Sequence, residues 1–314
     1  MLVVGLALGR VDAADRDARP GSRRTTMSTS STTTRRAEPS VPTPRLAVLG
    51  TGVMGETVLA GALRAGWSAS EVVATVRRPE RGQELYERHG VGTTTDNVEA
   101  VRGAGLVVVA VKPKDVAALL AEVSAHLGEG AVVVSVVVGL RARFYEDRLP
   151  AGTSVVRVMP NTPSVIGAGV SAVSGGAAAS DDDVALVERL LGQTGLVVRV
   201  PEKDQDAVGA LSGSGPAYVF YVVDALAEAG VLLGLTRAVA LELATATVLG
   251  SARMLDETGE HPVILREKVS SPGGTTVAAL RALDEGGVRA AFLSALEAAR
   301  DRSQELAAAL EERP

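Results

Sequence analysis

The segment RLAVLGTGVMGETVLAGALRAG, residues 45–66, contains the first strand and the first helix that the sequence predicts. A short apolar strand, RLAVLG, runs into a glycine-rich turn, and a stretch with helical spacing follows and ends on glycine. In such a turn Gly50 permits the tight bend, Gly52 lets the backbone approach a pyrophosphate, and Gly55 permits close packing of the helix on the strand. The order of strand, turn and helix predicts dinucleotide binding, and the alternative is a tight turn that is merely rich in glycine.

The segments that follow alternate between strand and helix patterns. The strand-like segments GLVVVAV and AVVVSVVV are almost wholly apolar, which is typical of strands buried on both faces of a parallel sheet. With these two included, the strands predicted after the first one lie at residues 71–76, 105–111, 131–138, 153–159, 167–173 and 195–200. The pattern indicates an α/β fold, with a doubly wound Rossmann-type domain over residues 45–201.

The end of the second predicted strand indicates which dinucleotide binds. An acidic residue there would bind the ribose 2′-hydroxyl of NADH, whereas arginine accommodates the 2′-phosphate of NADPH. The chain reads ATVRRPERG, with Arg77, Arg78 and Arg81 and no acidic residue before Glu80. We predict NADPH as the cofactor, with NADH as an alternative; the competing interpretation is a solvated basic loop.

Two more loops are expected at the carboxyl ends of strands, where open α/β sheets bind ligands. They are AVKP, residues 110–113, and SVVVG, residues 135–139. Lys112 could meet a phosphate or ribose, or it could be a surface lysine at the start of a helix, and the sequence favours neither. Asn161, in MPNTP, is equally compatible with a functional role and with the cap of a turn before Pro163.

Composition excludes several other kinds of protein. The 314 residues carry a net charge of −5 and a pI of about 5.4, which argues against binding to nucleic acid or to an anionic membrane. Cysteine is absent, so disulfides, thiolate catalysis and zinc–sulfur sites are excluded. His89, His126 and His261 are far apart in sequence, which argues against a histidine metal site and against a Ser-His triad.

Residues 1–44 precede the first predicted strand, and from residue 10 onward they are rich in Arg, Ser, Thr, Asp and Pro. This composition predicts a disordered N-terminal extension. Its apolar run, LVVGLAL, is too short to span a bilayer and lacks the basic residue that precedes the apolar run of a signal peptide, which stays the alternative. We therefore expect a cytoplasmic protein.

Helical patterns replace strand patterns over residues 202–314. A long apolar stretch is interrupted at residues 213–216, and an amphipathic helix is predicted at 236–259. Helices this apolar in so short a segment favour burial against another chain. We expect an all-α dimerisation domain and self-association as a dimer or a higher homo-oligomer.

The segment KVSSPGGTT, residues 268–276, breaks a helical pattern with four hydroxyl residues, a proline and two glycines. It predicts consecutive backbone N–H groups in front of a new helix, an arrangement that favours a carboxylate or phosphate ligand. The hydroxyls of Ser271 and Thr276 could add hydrogen bonds. The alternative is an ordinary helix–helix turn with serine capping.

The longer segment around this turn, REKVSSPGGTTVAALRALDEGGVRAA, closely resembles the signature of the pyrroline-5-carboxylate reductase family. LSGSGPAYVFYVVDALAEAGVLLGL, AVKP and VMPNTP also resemble segments of that family, in the family's order and spacing. The resemblance covers about residues 45–310. It implies an enzyme that reduces 1-pyrroline-5-carboxylate to L-proline with NAD(P)H, the last step of proline biosynthesis. It also implies a helical domain intertwined with a second subunit, so that each site takes residues from a neighbour.

The resemblance implies roles for individual residues. Thr276 would place its hydroxyl at the imine nitrogen, and the substrate carboxylate would be bound by Ser271, Gly274 and Thr275. The cofactor would be bound by Leu49, Gly50, Thr51, Gly52, Val53, Met54, Arg77, Arg78, Asn97, Ala110, Val111, Lys112, Pro113, Val136, Val137 and Val138. The family usually has small alanines where this chain has Val137 and Val138, so we expect a narrower nicotinamide pocket. Hydride reduction of an imine needs orientation and electrostatics, and it needs no metal.

Two other functions fit parts of the sequence. A β-hydroxyacid dehydrogenase also joins a Rossmann domain to a helical domain, but oxidation of an alcohol needs a general base, and that family places a lysine early in its helical domain. No lysine occurs between Lys203 and Lys268. A non-catalytic NADP(H)-binding regulator would keep the glycine turn but lose the SSPGGTT segment.

Overall fold

The first part of the chain folds around an eight-stranded sheet in the computed structural model, which describes residues 43–311. The strands are β1 (Leu46–Leu49), β2 (Val72–Thr75), β3 (Gly92–Thr94), β4 (Leu106–Val109), β5 (Val132–Ser135), β6 (Ser154–Pro160), β7 (Gly169–Gly175) and β8 (Gly195–Arg199). Their order across the sheet is β3-β2-β1-β4-β5-β6-β7-β8, and every neighbouring pair is parallel except β6 with β7. Because the order reverses at β1, a crevice for ligands is expected between β1 and β4.

Helices cover both faces of this sheet. They are α1 (Val53–Arg64), α2 (Pro79–His89), α3 (Asn97–Val101), α4 (Val116–Val123), α5 (Ala142–Glu146) and α6 (Asp181–Leu191). One apolar core lies between the sheet and α1, α2 and α6, and a second lies between the sheet and α3, α4 and α5. The doubly wound arrangement predicted from the uninterrupted apolar strands is therefore confirmed.

Two features of the sheet differ from the sequence-based prediction. β3 is an additional strand of only three residues, Gly-Thr-Thr, at the edge of the sheet, and it lacks the apolar run by which the other strands were predicted. β7 runs antiparallel to β6, so the sheet is mixed. The connection between them contains only a short 3₁₀ helix, Thr162–Ile166, and so short a connection cannot make the crossover that a parallel pair requires.

The second part of the chain is helical. After α7 (Gln205–Val208) and a π-helical turn (Gly209–Gly213) come α8 (Gly215–Leu232), α9 (Arg237–Thr258), α10 (Pro262–Lys268), α11 (Thr275–Glu285) and α12 (Val288–Glu311). The interruption predicted at residues 213–216 spans the last residue of this π-helical turn, the N-cap Ser214 and the first two residues of α8. Asn161, at the end of β6, supports this turn, because its Nδ2 donates a hydrogen bond to the Ser212 carbonyl at 3.1 Å.

A buried arginine also joins the sheet to the helical part. Arg157, on β6, is 5% exposed, and its guanidinium lies 3.5 Å from Glu202 and 3.8 Å from Asp206. Ser303 of α12 donates a hydrogen bond to the same Asp206 carboxylate at 3.0 Å. These contacts tie the first and last helices of the second part to the sheet.

The helical part exposes much of its apolar surface in a single chain. Two of its stretches, Glu202–Leu232 and Arg237–Thr258, are long and apolar enough to cross a membrane by length and composition, and only 6% and 11% of their apolar windows are buried. α8 and α9 pack on each other through small residues, with Ala227, Ala240 and Ala244 at the contact. The remaining apolar faces of these helices require another surface to cover them.

The N-terminal extension predicted for residues 1–44 lies almost wholly outside the described residues. Pro44 already belongs to the folded part, because its carbonyl accepts a hydrogen bond from the Trp67 indole nitrogen at 3.1 Å.

Candidate active site

A cavity of about 980 Å³ lies at the carboxyl ends of β1, β2, β4 and β5. Four segments of the first domain form most of its wall: the glycine turn after β1, the arginine segment after β2, AVKP after β4 and the valines after β5. It occupies the position expected from the reversal of strand order. Of the predicted cofactor residues, it brings together Gly50, Thr51, Gly52, Val53, Met54, Arg77, Arg78, Asn97, Ala110, Val111, Lys112, Pro113, Val136, Val137 and Val138.

The three glycines of the turn have different surroundings. Gly50 has a φ of +86°, and a Cβ there would lie 2.6 Å from a methyl group of Val111. A Cβ on Gly55 would lie 2.6 Å from the Gly50 carbonyl oxygen, so α1 packs directly on the turn. A Cβ on Gly52 would meet nothing within 4 Å. The turn therefore leaves open space at the N-terminus of α1, where backbone N–H groups favour an anion.

Thr75, the last residue of β2, supports the turn and lines the cavity. Its hydroxyl accepts a hydrogen bond from the Gly50 amide at 3.0 Å, and its carbonyl accepts bonds from the amide and hydroxyl of Thr51. Thr75 was not predicted as a site residue, although a hydroxyl residue at the end of the strand after a glycine turn is a recognisable signal. The other lining residues that were not predicted to bind cofactor are Val76, Arg81, Thr95, Asp115, Ala118, Leu119, Glu122 and Thr162.

Arg81 is held in a cluster of charges around Glu56 of α1. Glu56 accepts hydrogen bonds from Arg81 at 2.5 Å and from Arg88, and it lies 3.0 Å from the His89 ring nitrogen. Partial burial alone would raise the pKa of Glu56, but the hydrogen bonds from His89, Arg81 and Arg88 outweigh it and lower the pKa to about 2. The cluster fixes the first turn of α1 against both ends of α2.

The predicted nicotinamide end of the cavity rests on a buried hydrogen-bond chain. The Tyr145 hydroxyl lies 2.5 Å from the Ser135 hydroxyl, and that oxygen accepts a hydrogen bond from the Val137 amide at 3.2 Å. Burial raises the pKa of Tyr145, so its phenol stays neutral. Val137 is itself buried in the core, whereas Val138 is 49% exposed. Of the two valines expected to narrow the pocket, Val138 therefore presents the larger surface.

Three other predicted residues have distinct surroundings. Leu49 does not line the cavity: it is fully buried in the core, and its carbonyl accepts the Ala110 amide at 2.8 Å. Asn97 begins α3, and its Nδ2 donates to Glu122 at 3.1 Å. Lys112 lines the cavity directly before the short 3₁₀ helix that follows β4.

The SSPGGTT segment forms the break between α10 and α11. Gly273 has a φ of +68°, and Gly274 caps α11 while its amide donates to the Ser271 carbonyl at 2.9 Å. Ser271 and Thr275 are exposed and Thr276 is half-buried. None of Ser271, Gly274, Thr275 and Thr276 is among the residues that line the cavity of the same chain. The fold thus groups the predicted cofactor residues and leaves the predicted substrate residues outside that group.

The residues of the cavity fit a phosphorylated dinucleotide. An open helix N-terminus faces the cavity at Gly52, and Arg77 and Arg78 line it beyond β2. Within residues 43–311 no group of histidine, aspartate and glutamate side chains could hold a metal ion. The arrangement can therefore bind and orient a redox nucleotide.

Comparisons with known proteins agree with this geometry. Residues 202–306 match the family model for pyrroline-5-carboxylate reductase dimerisation, and residues 45–139 match the model described as NADP oxidoreductase, coenzyme F420-dependent. A pyrroline-5-carboxylate reductase from Corynebacterium melassecola is 46% identical, over 83% of this chain and 98% of that protein. One from Mycobacterium tuberculosis is 42% identical, over 83% of this chain and 96% of its own length.

Solved structures give the same result. A pyrroline-5-carboxylate reductase from Coxiella burnetii superposes with a TM-score of 0.81 at 38% identity, covering 84% of this chain and 99% of that one. A pyrroline carboxylate reductase from Plasmodium falciparum, solved with NADP bound, has a TM-score of 0.75 at 26% identity, covering 84% of this chain and 98% of its own. These relatives are matched along nearly their full length, and the matches include both the sheet part and the helical part of the chain. The chain therefore belongs to the pyrroline-5-carboxylate reductase family.

Proposed function

We propose that the protein reduces 1-pyrroline-5-carboxylate to L-proline with NADPH, and with NADH as an alternative donor, in the cytoplasm. The observation that carries the proposal is the cavity at the end of β1, with its glycine turn and arginines, in a chain of this family. Such a reaction would complete proline biosynthesis.

Different residues of the cavity would bind different parts of the cofactor. The N-terminus of α1 at Gly52 receives the pyrophosphate, and Arg77 and Arg78 bind the 2′-phosphate. The bound cofactor supplies the hydride. Val138 and the segment 110–113 orient the nicotinamide at the other end of the cavity.

The SSPGGTT segment would bind the substrate. The backbone amides that precede α11, together with Ser271 and Thr275, bind the carboxylate. Thr276 donates a hydrogen bond at the imine nitrogen and aligns the C=N bond with the hydride donor. A neutral hydroxyl is a poor acid, so the proton on nitrogen comes from solvent or is carried by the substrate as its iminium.

The complete site would require two copies of the chain. The SSPGGTT segment contributes nothing to the cavity of its own chain, and the match of residues 202–306 to a dimerisation family supports pairing through the helical part. We favour a second copy over a membrane as the cover for α8 and α9, because α8 carries Asp224 and Glu228 within its apolar surface. We place the boundary between the two domains at residues 201 and 202.

A coupled assay tests the reaction itself. Purified protein should consume NADPH, followed at its absorption band, when 1-pyrroline-5-carboxylate is added, and it should form proline. Oxidation of NADPH with a β-ketoacid-type semialdehyde and none with pyrroline-5-carboxylate would favour a β-hydroxyacid dehydrogenase. Binding of NADPH with no turnover of either substrate would favour a regulator.

Thr276→Ala tests the substrate segment. We expect kcat to fall about tenfold to a hundredfold, the value of one well-placed hydrogen bond, with the Kd for NADPH unchanged within about twofold. Thr276→Ser, which keeps the hydroxyl, should recover most of the rate. A wild-type rate in Thr276→Ala would remove this hydroxyl from the mechanism.

The double substitution Arg77→Ala with Arg78→Ala tests the choice of cofactor. We expect the KM for NADPH to rise about tenfold or more, because charge-assisted hydrogen bonds to the 2′-phosphate are lost, while the KM for NADH changes little. Arg143→Ala, at an exposed arginine that does not line the cavity, is the control for surface charge. An unchanged ratio of the two KM values would mean that Arg77 and Arg78 are surface charges only.

A further inference from the structure

An ion pair joins the two sides of the cavity near the glycine turn. Arg77 follows β2, and Asp115 ends the 3₁₀ helix that follows β4. The Arg77 Nη2 atom lies 2.5 Å from the Asp115 Oδ2 atom, and both residues line the cavity. Because β1 lies between β2 and β4 in the sheet, this pair bridges the cavity across the end of β1.

The three arginines beyond β2 are engaged to different degrees. Arg81 is 22% exposed and is held by Glu56 at 2.5 Å and Glu84 at 3.0 Å. Arg78 makes no ion pair within the described part of the chain. Arg77 is 78% exposed, and Asp115 is its one carboxylate partner there. An exposed single pair costs little to break, so Arg77 can change partners, whereas Arg81 is fixed.

We propose that Asp115 competes with the 2′-phosphate of NADPH for Arg77 and thereby sets how strongly the protein prefers NADPH over NADH. The inference rests on the proposed use of these two nucleotides. A guanidinium that turns to the phosphate must loosen its bond to Asp115. Loosening that bond costs free energy and so lowers the affinity for NADPH, whereas the 2′-hydroxyl of NADH brings no charge and leaves the pair intact.

Asp115→Asn tests the competition, because the amide keeps the shape of the side chain and removes its charge. The Kd values of NADPH and NADH are measured by nucleotide fluorescence titration of the full-length protein without substrate. We expect the Kd for NADPH to fall about twofold to fivefold, the range of an exposed ion pair, and the Kd for NADH to stay the same. In the Arg77→Ala background the same substitution should bring no gain.

Asp147→Asn is the matched control. Asp147 pairs with Arg143 at 3.5 Å, both side chains are exposed, and neither residue lines the cavity, so this variant makes the same change in net charge elsewhere. It should leave both Kd values unchanged.

Three results would overturn the inference. They are an Asp115→Asn variant that binds NADPH no more tightly than the wild type, one that binds both nucleotides more tightly by the same factor, and a gain that persists without Arg77. If the wild-type protein binds neither nucleotide, the proposed function fails together with the inference. If the wild-type protein binds both nucleotides and the ratio of their Kd values is the same in Asp115→Asn, the inference alone fails.

Discussion

The sheet domain and the helical domain bury their apolar residues in different ways. In the sheet domain whole strands are buried, and large side chains such as Leu59, Leu106 and Leu190 are fully enclosed by helices of the same chain. In the helical domain, within the side chains described after residue 205, every buried apolar side chain is an alanine: Ala210, Ala227, Ala240, Ala244 and Ala307. Its large apolar residues, such as Tyr221 at 77% and Leu232 at 88%, are exposed.

Apolar residues are thus buried in two different ways in this chain, within one subunit or against a partner surface. Strands flanked by helices on both faces complete their burial within one chain. Helices that are apolar on several sides and bury only alanines against each other leave their larger side chains for a partner surface. The first domain should therefore be stable independently of protein concentration, and the second should depend on self-association.

The largest effect is expected from Tyr221→Asp in α8. A charge in the proposed interface should weaken self-association by about 2 kcal/mol or more, and turnover should fall with the loss of the two-chain site. Light scattering after gel filtration measures the mass, and the reductase assay measures the activity. Tyr86→Asp is the control, because Tyr86 is 58% exposed on α2 of the sheet domain, and it should leave the mass unchanged. A Tyr221→Asp variant with the mass of the wild type would remove this face from the interface.

The next largest effect is expected from removing one leucine side chain in each domain. Leu190→Ala should destabilise the sheet domain by about 2 to 5 kcal/mol at any protein concentration, because it leaves a cavity in a closed core. Leu243, on α9, is 53% exposed in one chain, so Leu243→Ala should cost under about 0.5 kcal/mol if that surface faces solvent. We expect a larger cost, and one that grows with protein concentration. Urea unfolding at two concentrations of each variant measures this, and a small, concentration-independent cost for Leu243→Ala would contradict the comparison.

The smallest effect concerns the charge cluster of the sheet domain. Because the pKa of Glu56 is lowered from 4.5 to about 2, its contribution to stability is complete above pH 4.5 and is lost as the pH falls towards 2. Glu56→Gln should therefore cost about 1 to 2 kcal/mol at neutral pH, reduced from the full shift by partial exposure, and almost nothing near pH 2. Urea unfolding across this pH range measures it. Glu84→Gln, at the more exposed partner of Arg81, should cost under about 0.5 kcal/mol, and equal costs for the two variants would contradict a specific role of Glu56.

Much of the sheet domain could be predicted from the sequence because its signals are local. Uninterrupted runs of valine mark the buried strands, and the spacing of Gly50, Gly52 and Gly55 reflects steric needs within a few residues. β3 escaped prediction because three residues at a sheet edge carry no apolar pattern. The antiparallel direction of β7 could not be predicted, because an apolar run looks the same whether its strand is parallel or antiparallel to its neighbour.

The candidate site was predictable where residues follow a strand end, and unpredictable where they meet across the sheet. Thr75 contacts the glycine turn only because β2 lies beside β1. Leu49 is adjacent to the turn in sequence, yet its side chain points into the core, because alternate residues of a strand face opposite sides. For Asn161 the sequence was compatible with both a functional role and a turn cap. In the structure its side-chain amide accepts a hydrogen bond from the Val170 amide of β7 and donates one to the Ser212 carbonyl of the π-helical turn.

The doubly wound domain, the glycine turn, the basic segment after β2 and the helix break at SSPGGTT follow from the chemistry of residues that are neighbours in the chain. Three other features depend on the folded arrangement: Arg77 pairs with Asp115, 38 residues away, Thr75 supports the glycine turn, and SSPGGTT lies outside the cavity of its own chain. These facts follow from the order of strands in the sheet and from which faces remain uncovered, and such long-range relations carry no signature in any single stretch of sequence.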